Sequence, residues 1–314
     1  MPLATRREYG WLVHCFDCGM LRGRLGEREQ MLNMKDAVVV ITGAGSGIGQ
    51  ALAVELARMG ARLALADVND NGLQQTLSFL GSATAKAYKV DVADAAAVEA
   101  FADQVGKDFG SVSILVNNAG VALHGNFADL TLAEFDWLMN INFWCVIHGC
   151  KFFLPLLRSA SSARIVNISS VFGLIGPPGQ TAYSSSKFAV RGFSEALREE
   201  LRADGVSVTC VHPAGIATKI AEKARAGQHT STEDQAVALK IFSKAASITP
   251  QEASHTIVQG ILKDKDRVLI GKDAYRMDWM ARFFPARAGA MFADYMAKRR
   301  QRIAGNRAAG AGNS

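Results

Sequence analysis

Apolar and polar positions along the chain alternate between two periods. The run AVVVIT at 37–42, bounded by glycine, is followed by IGQALAVELARMG at 48–60, whose apolar positions recur every three to four residues and stop at a glycine. The first is the pattern of a strand buried on both faces, the second that of an amphipathic helix. The same alternation continues to residue 271. Strands are predicted at ARLALAD (61–67), AKAYKVDV (85–92), SILVNNAG (113–120), ARIVNISS (163–170), VSVTCVHP (206–213) and RVLIG (267–271). Helices are predicted over 72–81, 95–110, 132–159, 183–204 and 250–264. Strands separated by long helices make parallel βαβ units. The expected fold is α/β: one doubly wound, Rossmann-type parallel sheet of about seven strands, with helices on both faces, in a single domain. Its ligand belongs at the carboxyl ends of the strands, near the reversal of strand order.

The two ends of the 314-residue chain depart from this pattern. Residues 1–33 have neither period, and the expectation is that they are an over-extended gene start, with translation beginning at Met34 or Met31. They contain Cys15-x-x-Cys18 beside His14, but no second ligand pair at zinc spacing follows, so no metal is expected. The remaining cysteines, Cys145, Cys150 and Cys210, fall in apolar contexts and read as buried free thiols of a reducing, cytoplasmic compartment. No run of about 18 apolar residues is long enough to span a membrane.

Charge is concentrated at the C-terminus. Residues 276–314 hold eight Arg and Lys against two Asp, which is the whole formal excess of +6. The first 33 residues add five Arg against four acids, so the body is close to neutral. A neutral body does not suit a nucleic-acid binder. Organisation is therefore expected as an extension (1–33), a dinucleotide-binding catalytic domain (34–272), a basic amphipathic helical tail (273–302) and a disordered end (303–314).

The first strand runs into TGAGSGIG at 42–49. Gly43, Gly47 and Gly49 lie between strand and helix, where glycine permits a tight turn and close approach of a pyrophosphate to the helix N-terminus. Asp67 ends the second strand, 18 residues after Gly49. A carboxylate there can accept hydrogen bonds from a ribose and repel a 2′-phosphate, and neither Val68 nor Ser46 offers a compensating cation, so NAD is expected over NADP. Asp91 ends the third strand within reach of an adenine. Asn117 and Asn118 can tie strand ends or touch a ribose, and Gly120 allows backbone to pass close by.

Tyr183 and Lys187 stand four residues apart on one face of a helix. An ammonium about 4 Å from a phenolate, at an effective dielectric near 20, is worth up to roughly 4 kcal/mol, enough to bring a phenol from about 10 toward 7. These elements in this order, with Asn142, Ser170 in NISS and HPAGIAT at 212–218, resemble the short-chain dehydrogenase/reductase family in its single-domain form. The resemblance covers residues 36–271.

That resemblance implies an oxidoreductase acting on CH–OH groups, with Tyr183 as general acid–base and Lys187 tuning it and holding the nicotinamide ribose. It implies Ser170 on the substrate oxygen and Asn142 holding a water that links Lys187 to solvent. Ser46, Ile48, Val92, Pro213, Ile216 and Thr218 are implied as further cofactor contacts. The usual Pro-Gly after the sixth strand is Pro213-Ala214 here, a departure that bears on substrate geometry. Ser184, Ser185 and Ser186 read as small residues that permit close packing.

Residues 219–247 fall where the family has its substrate lid. Their apolar side (Ile220, Ala224, Val237, Leu239, Ile241, Phe242) suits a lipophilic secondary alcohol or ketone. In the tail, Trp279, Met280, Phe283 and Phe284 form one stripe, and Met291, Phe292, Tyr295 and Met296 another. They either pack on the body or a partner subunit, or meet an anionic membrane surface through Arg282, Arg287 and Lys298–Arg300. A homodimer or homotetramer is the family's implication. Two other activities stay open: an NADPH-preferring ketone reductase, and a non-catalytic NAD-sensing protein on the same fold.

Overall fold

The computed structural model describes residues 33–218, 220, 224–233, 235, 236, 246–295 and 297. The Cys15–Cys18 pair, the lid positions Val237, Leu239, Ile241 and Phe242, and Met296 with the Lys298–Arg300 run lie outside the described residues, as does the end from 303.

The seven predicted strands form one parallel sheet. They are β1 (Val38–Thr42), β2 (Arg62–Asp67), β3 (Ala85–Lys89), β4 (Ile114–Asn117), β6 (Ala163–Ile168), β7 (Val206–Pro213) and β9 (Arg267–Ile270). Their order across the sheet is β3-β2-β1-β4-β6-β7-β9. The order reverses between β1 and β4, which pair in register Val39↔Ile114 to Ile41↔Val116. The glycine loop after β1 and the NNAG segment after β4 therefore face one another across the switch point.

The apolar runs are strands because both faces are covered: every residue of β1, β4 and β6 is buried. On one face lie α3 (Ala95–Phe109), α5 (Cys145–Arg158) and α6 (Thr181–Glu200). Phe101 of α3 meets Phe153 of α5 edge-on, with ring centroids 5.2 Å apart. The other face carries α1 (Gly47–Arg58) and α7 (Pro250–Leu262). Between them Ser254 Oγ donates to Glu55 Oε2 at 2.5 Å. The short α2 (Asp70–Ser78) follows β2, capped by Asn69.

The long helix expected over 132–159 is not continuous. It consists of α4 (Leu132–Met139), a π turn over Asn140–Trp144, and α5. The Cys145 N–H reaches back to the Asn140 carbonyl, five residues away. The segment NINFW holds neither proline nor glycine to mark the turn in the sequence, and such turns cluster at functional sites.

A second feature lay below the sequence's resolution. Two-residue strands β5 (Leu123–His124) and β8 (Arg225–Ala226) pair in parallel and tie the start of the lid region to the loop after β4.

The tail begins with α8 (Lys272–Phe283), fastened by Asp278, which pairs with Arg267 Nη2 at 2.5 Å and Arg282 Nε at 3.1 Å. A helical segment at 288–295 follows. Each apolar stripe is split. Met277, Met280, Ala288 and Phe292 pack inward with Ile175, while Tyr275, Trp279, Phe283, Phe284, Met291 and Tyr295 stay exposed.

Candidate active site

At the end of β1 the chain turns through Gly43 (φ +66°) and Gly47 (φ +57°), conformations that only glycine adopts without strain. A Cβ on Gly43 would lie 2.8 Å from the Ala119 Cα, so glycine is also what lets this loop touch the end of β4. Helix α1 starts at Gly47 with Ser46 as its N-cap, but the serine side chain makes no capping bond and the first turn holds no acid. The positive end of a 12-residue helix is thus left without a side-chain partner, which is what an approaching phosphate needs. Gly49 abuts the Gly43 carbonyl, where a Cβ would come within 2.3 Å. Thr218 packs above Gly47, its Cγ2 3.1 Å from where a Cβ there would sit.

Asp67 is fixed beside this loop. Its Oδ2 accepts from Gly45 N at 2.9 Å and its Oδ1 from Asn69 N at 2.9 Å. The carboxylate is thus oriented before any ribose arrives. An uncapped helix N-terminus, a glycine turn and an aligned carboxylate fit a dinucleotide. Asp91 Oδ1 accepts from Ala93 N at 3.0 Å, and Val92 beside it is buried, its carbonyl 3.3 Å from His148 Nδ1.

The paired asparagines tie strands together. Asn118 Nδ2 donates to Thr42 O (2.9 Å) and Gly43 O (3.2 Å), while Asn117 Nδ2 donates to Asn167 Oδ1 (2.9 Å). Of the two roles open to Asn118, its Nδ2 takes the strand tie, and its main-chain N–H donates to Thr42 Oγ1 at 3.0 Å.

Lys187 is buried, and its Nζ donates to the Ile168 carbonyl at 3.0 Å. Burial pushes the ammonium down to about 8 from 10.5. Gly120 admits it: a Cβ there would stand 3.2 Å from Asn142 Oδ1 and 3.6 Å from Lys187 Nζ. Asn142 sits in the π turn with both ends of its amide in use. Oδ1 accepts from Val121 N (2.8 Å), and Nδ2 donates to Val121 O (3.0 Å) and Ser186 Oγ (3.3 Å). Ser186, expected to be spacing only, also donates to Tyr183 O at 2.7 Å and so joins α6 to the π turn.

Tyr183 lies on the same face of α6, its ring centroid 5.8 Å from Lys187 Nζ. Burial pushes the phenol above its ordinary value, while the hydrogen bond with Ser170 pulls it back. Ser170 caps a short 3₁₀ turn (Val171–Gly173), its Oγ accepting from Phe172 N at 3.1 Å. With a lone pair thus occupied, the hydroxyl proton is free to point at the phenol or a substrate oxygen.

Apolar groups flank Tyr183. It packs against the cluster of Leu123, Leu138 and Ala182, as do Phe135 and Trp137, and Phe172 meets the Tyr183 ring edge-on at 6.3 Å. Phe172 in turn contacts Phe292 of the tail at 6.1 Å, so the C-terminal segment backs one wall of the site. Arg225, from β8, lies 3.9 Å over the Trp137 ring. After β7, Ala214 N donates to Ile270 O at 3.0 Å and Ala217 N to Ile248 O at 2.8 Å, which holds Thr218 over Gly47, while Ile216 is bridged to Ile248. The methyl of Ala214 is accommodated opposite Gly271, 3.4 Å from where a Cβ there would be.

The three other described cysteines are buried, their thiols pushed up to about 12 (Cys145, Cys150) and 11 (Cys210), so they are unreactive. Among the described residues, no cluster of His, Cys, Asp or Glu could hold a metal ion, and no helix is long and apolar enough to cross a membrane.

Residues 37–229 match the family model of the short chain dehydrogenases. A Mycobacterium tuberculosis protein described only as an oxidoreductase, SadH, is 43% identical over 257 residues, covering 80% of this chain and 92% of that one. Epidermal retinol dehydrogenase 2 of Homo sapiens is 33% identical over 270 residues, covering 84% of this chain and 83% of its own. A short-chain dehydrogenase/reductase from Burkholderia phymatum, solved in complex with NAD, superposes with a TM-score of 0.75 at 31% identity, covering 80% of this chain and 95% of that one. The ordered glycine loop, the Ser170–Tyr183–Lys187 arrangement and these likenesses agree: the chain belongs to the short-chain dehydrogenase/reductase family of oxidoreductases.

Proposed function

We propose that this protein transfers a hydride between NAD(H) and a lipophilic secondary alcohol or ketone. The observation that carries the reading is the meeting of Ser170, Tyr183 and Lys187 in an apolar recess beside an uncapped helix N-terminus. The Burkholderia neighbour holds NAD, and Asp67 supports the same choice here.

A bound NAD⁺ would supply the hydride acceptor and a positive charge, held by the Gly43–Gly49 loop, Asp67 and Lys187. The Ser170 hydroxyl donates to the substrate oxygen and holds it against Tyr183. The Tyr183 oxygen takes the hydroxyl proton during oxidation and returns it during reduction. Because burial raises this phenol, a positive charge on a bound cofactor, added to the Lys187 ammonium 5.8 Å from the ring, would lower it and favour Tyr183 as a base in the loaded enzyme. Lys187 holds the ribose and passes protons onward. With the Asn142 amide spent on Val121 and Ser186, a relay water would rest on main-chain carbonyls of the π turn.

Phe135, Trp137 and Phe172 around Tyr183 favour a hydrophobic substrate, and one relative is named for retinol. Turnover of a homologous series of secondary alcohols, with NAD and with NADP, tests the reading. It predicts kcat/KM rising with apolar chain length and NAD preferred; flat dependence on chain length contradicts it.

The exposed Trp279, Phe283 and Phe284 form one aromatic cluster, with ring centroids 4.8 and 6.0 Å apart. With Arg276, Arg282, Arg287 and the basic run that follows in sequence, they suit the interface of an anionic membrane. Flotation with anionic vesicles, lost in a Trp279→Ala/Phe283→Ala variant, would bear this out. Equal recovery of both proteins in the buffer fraction overturns it. Assembly as a homodimer or homotetramer is supported by the half-exposed Trp144 and Phe188.

A further inference from the structure

His212 is the residue whose presence the chemistry above leaves unexplained. It lies near the carboxyl end of β7, fully buried, opposite Leu269 of β9. Its Nδ1 is 3.1 Å from the Ser170 carbonyl, and among the described residues its Nε2 has no partner. Burying an imidazole nitrogen without a partner costs free energy, whereas the apolar side chains around it stabilise the fold when buried.

The surroundings explain what it does. The β6–β7 ladder runs from Ala163↔Val206 to Ile168↔Val211, and the Ser169 N–H still reaches Val211 O at 2.8 Å. At the following residue the chain leaves the sheet to form the 3₁₀ turn, and the Ser170 carbonyl accepts from the Gly173 N–H at 2.9 Å. The His212 ring meets the other side of that carbonyl as a second donor. A carbonyl only accepts, so Nδ1 carries the proton and Nε2 is bare. Burial pushes the ring down to about 4, which keeps it neutral and in this one tautomer at working pH.

We propose that His212 is a positioning residue for hydride transfer: its Nδ1–H anchors the Ser170 carbonyl and thereby fixes the Ser170 hydroxyl on the substrate oxygen. Ser170 is then held at its carbonyl by His212 and the Gly173 N–H and at its Oγ by the Phe172 N–H, which leaves the hydroxyl proton for the phenol or the substrate oxygen. The inference rests on the role given to Ser170 under the proposed function.

Three variants test it on the full chain. His212→Asn places an amide N–H close to the Nδ1 position, His212→Gln places it a bond further on, and His212→Leu removes it. Expected are kcat losses of about tenfold or more for Leu and Gln and recovery to within about threefold for Asn, with NAD affinity by fluorescence unchanged in all. In a Ser170→Ala background, His212→Leu should cost less than about twofold, because two residues that act through one hydroxyl are non-additive. Full activity in His212→Leu, or equal fold losses in the two backgrounds, overturns the proposal. If His212→Leu does not fold, Asn and Gln still decide it: equal activity of those two defeats the anchor. An inactive Ser170→Asn variant with normal NAD binding, beside an unaffected His212→Gln, would leave the proposed function standing and remove only this inference.

Discussion

Replacing Asp67 by Ser should convert cofactor preference. Its two carboxylate oxygens are each held at 2.9 Å by backbone N–H groups of Gly45 and Asn69, so the charge cannot swing away from an arriving 2′-phosphate. Such a phosphate carries roughly 1.5–2 negative charges. At about 4 Å each unit costs ~1 kcal/mol in bulk water and ~4 kcal/mol at an effective dielectric of 20. Asp67 is half-buried, so even the water limit gives about 2 kcal/mol, or roughly 30-fold in discrimination. Steady-state kinetics with both cofactors should therefore show the NADP-to-NAD ratio of kcat/KM rising at least ~30-fold in Asp67→Ser. Asp67→Asn should show most of that rise, since it removes the charge and keeps an acceptor for Gly45. A ratio that moves less than about threefold in both, with unchanged thermal stability, would refute the electrostatic reasoning.

Three further outcomes follow from other parts of the molecule. Gly43→Ala combines left-handed backbone with a Cβ 2.8 Å from Ala119, whereas Gly81→Ala meets a similar φ (+60°) in open space. Urea titration should show the first losing at least about 2 kcal/mol and the second about 1; equal losses would discount the contact. Lys187 has its folded value lowered to about 8 from 10.5, so between those values the unfolded chain binds more protons and stability rises with pH. The buried thiols, raised to about 11 and 12, pull the other way above pH ~9 in both proteins, so chemical denaturation across pH 8–10.5 without cofactor should show the wild type gaining stability relative to Lys187→Met, and parallel curves would contradict it. Phe292→Ala removes the buried ring against Phe172 and should cost about 3 kcal/mol while raising KM for apolar substrates. A change in stability with KM untouched would place the tail outside the pocket wall.

Much of this was legible before any coordinates. The seven strands could be read because parallel strands are buried on both faces and appear as unbroken apolar runs; Val38–Thr42 and Ala163–Ile168 are buried throughout. The Gly43–Gly49 loop and the Tyr183–Lys187 pair could be read because their chemistry needs fixed spacing along the chain. What was hidden depends on contacts between distant segments. The π turn at Asn140–Trp144 has no proline or glycine to mark it. His212 looks like any strand residue until the Ser170 carbonyl stands beside it. The tail's stripes looked uniform, but packing on Ile175 turns Met280 and Phe292 inward and leaves Trp279 and Tyr295 outside. The direction of the Tyr183 shift also escaped the sequence, since an i, i+4 spacing does not show how burial raises the phenol.

The central claim is that Tyr183 moves the proton. Single-turnover hydride transfer in Tyr183→Phe, followed through the reduced nicotinamide absorbance, tests it most directly. The account predicts a loss of about 10³-fold or more with NAD affinity within about threefold of wild type. Transfer within tenfold of wild type would contradict it.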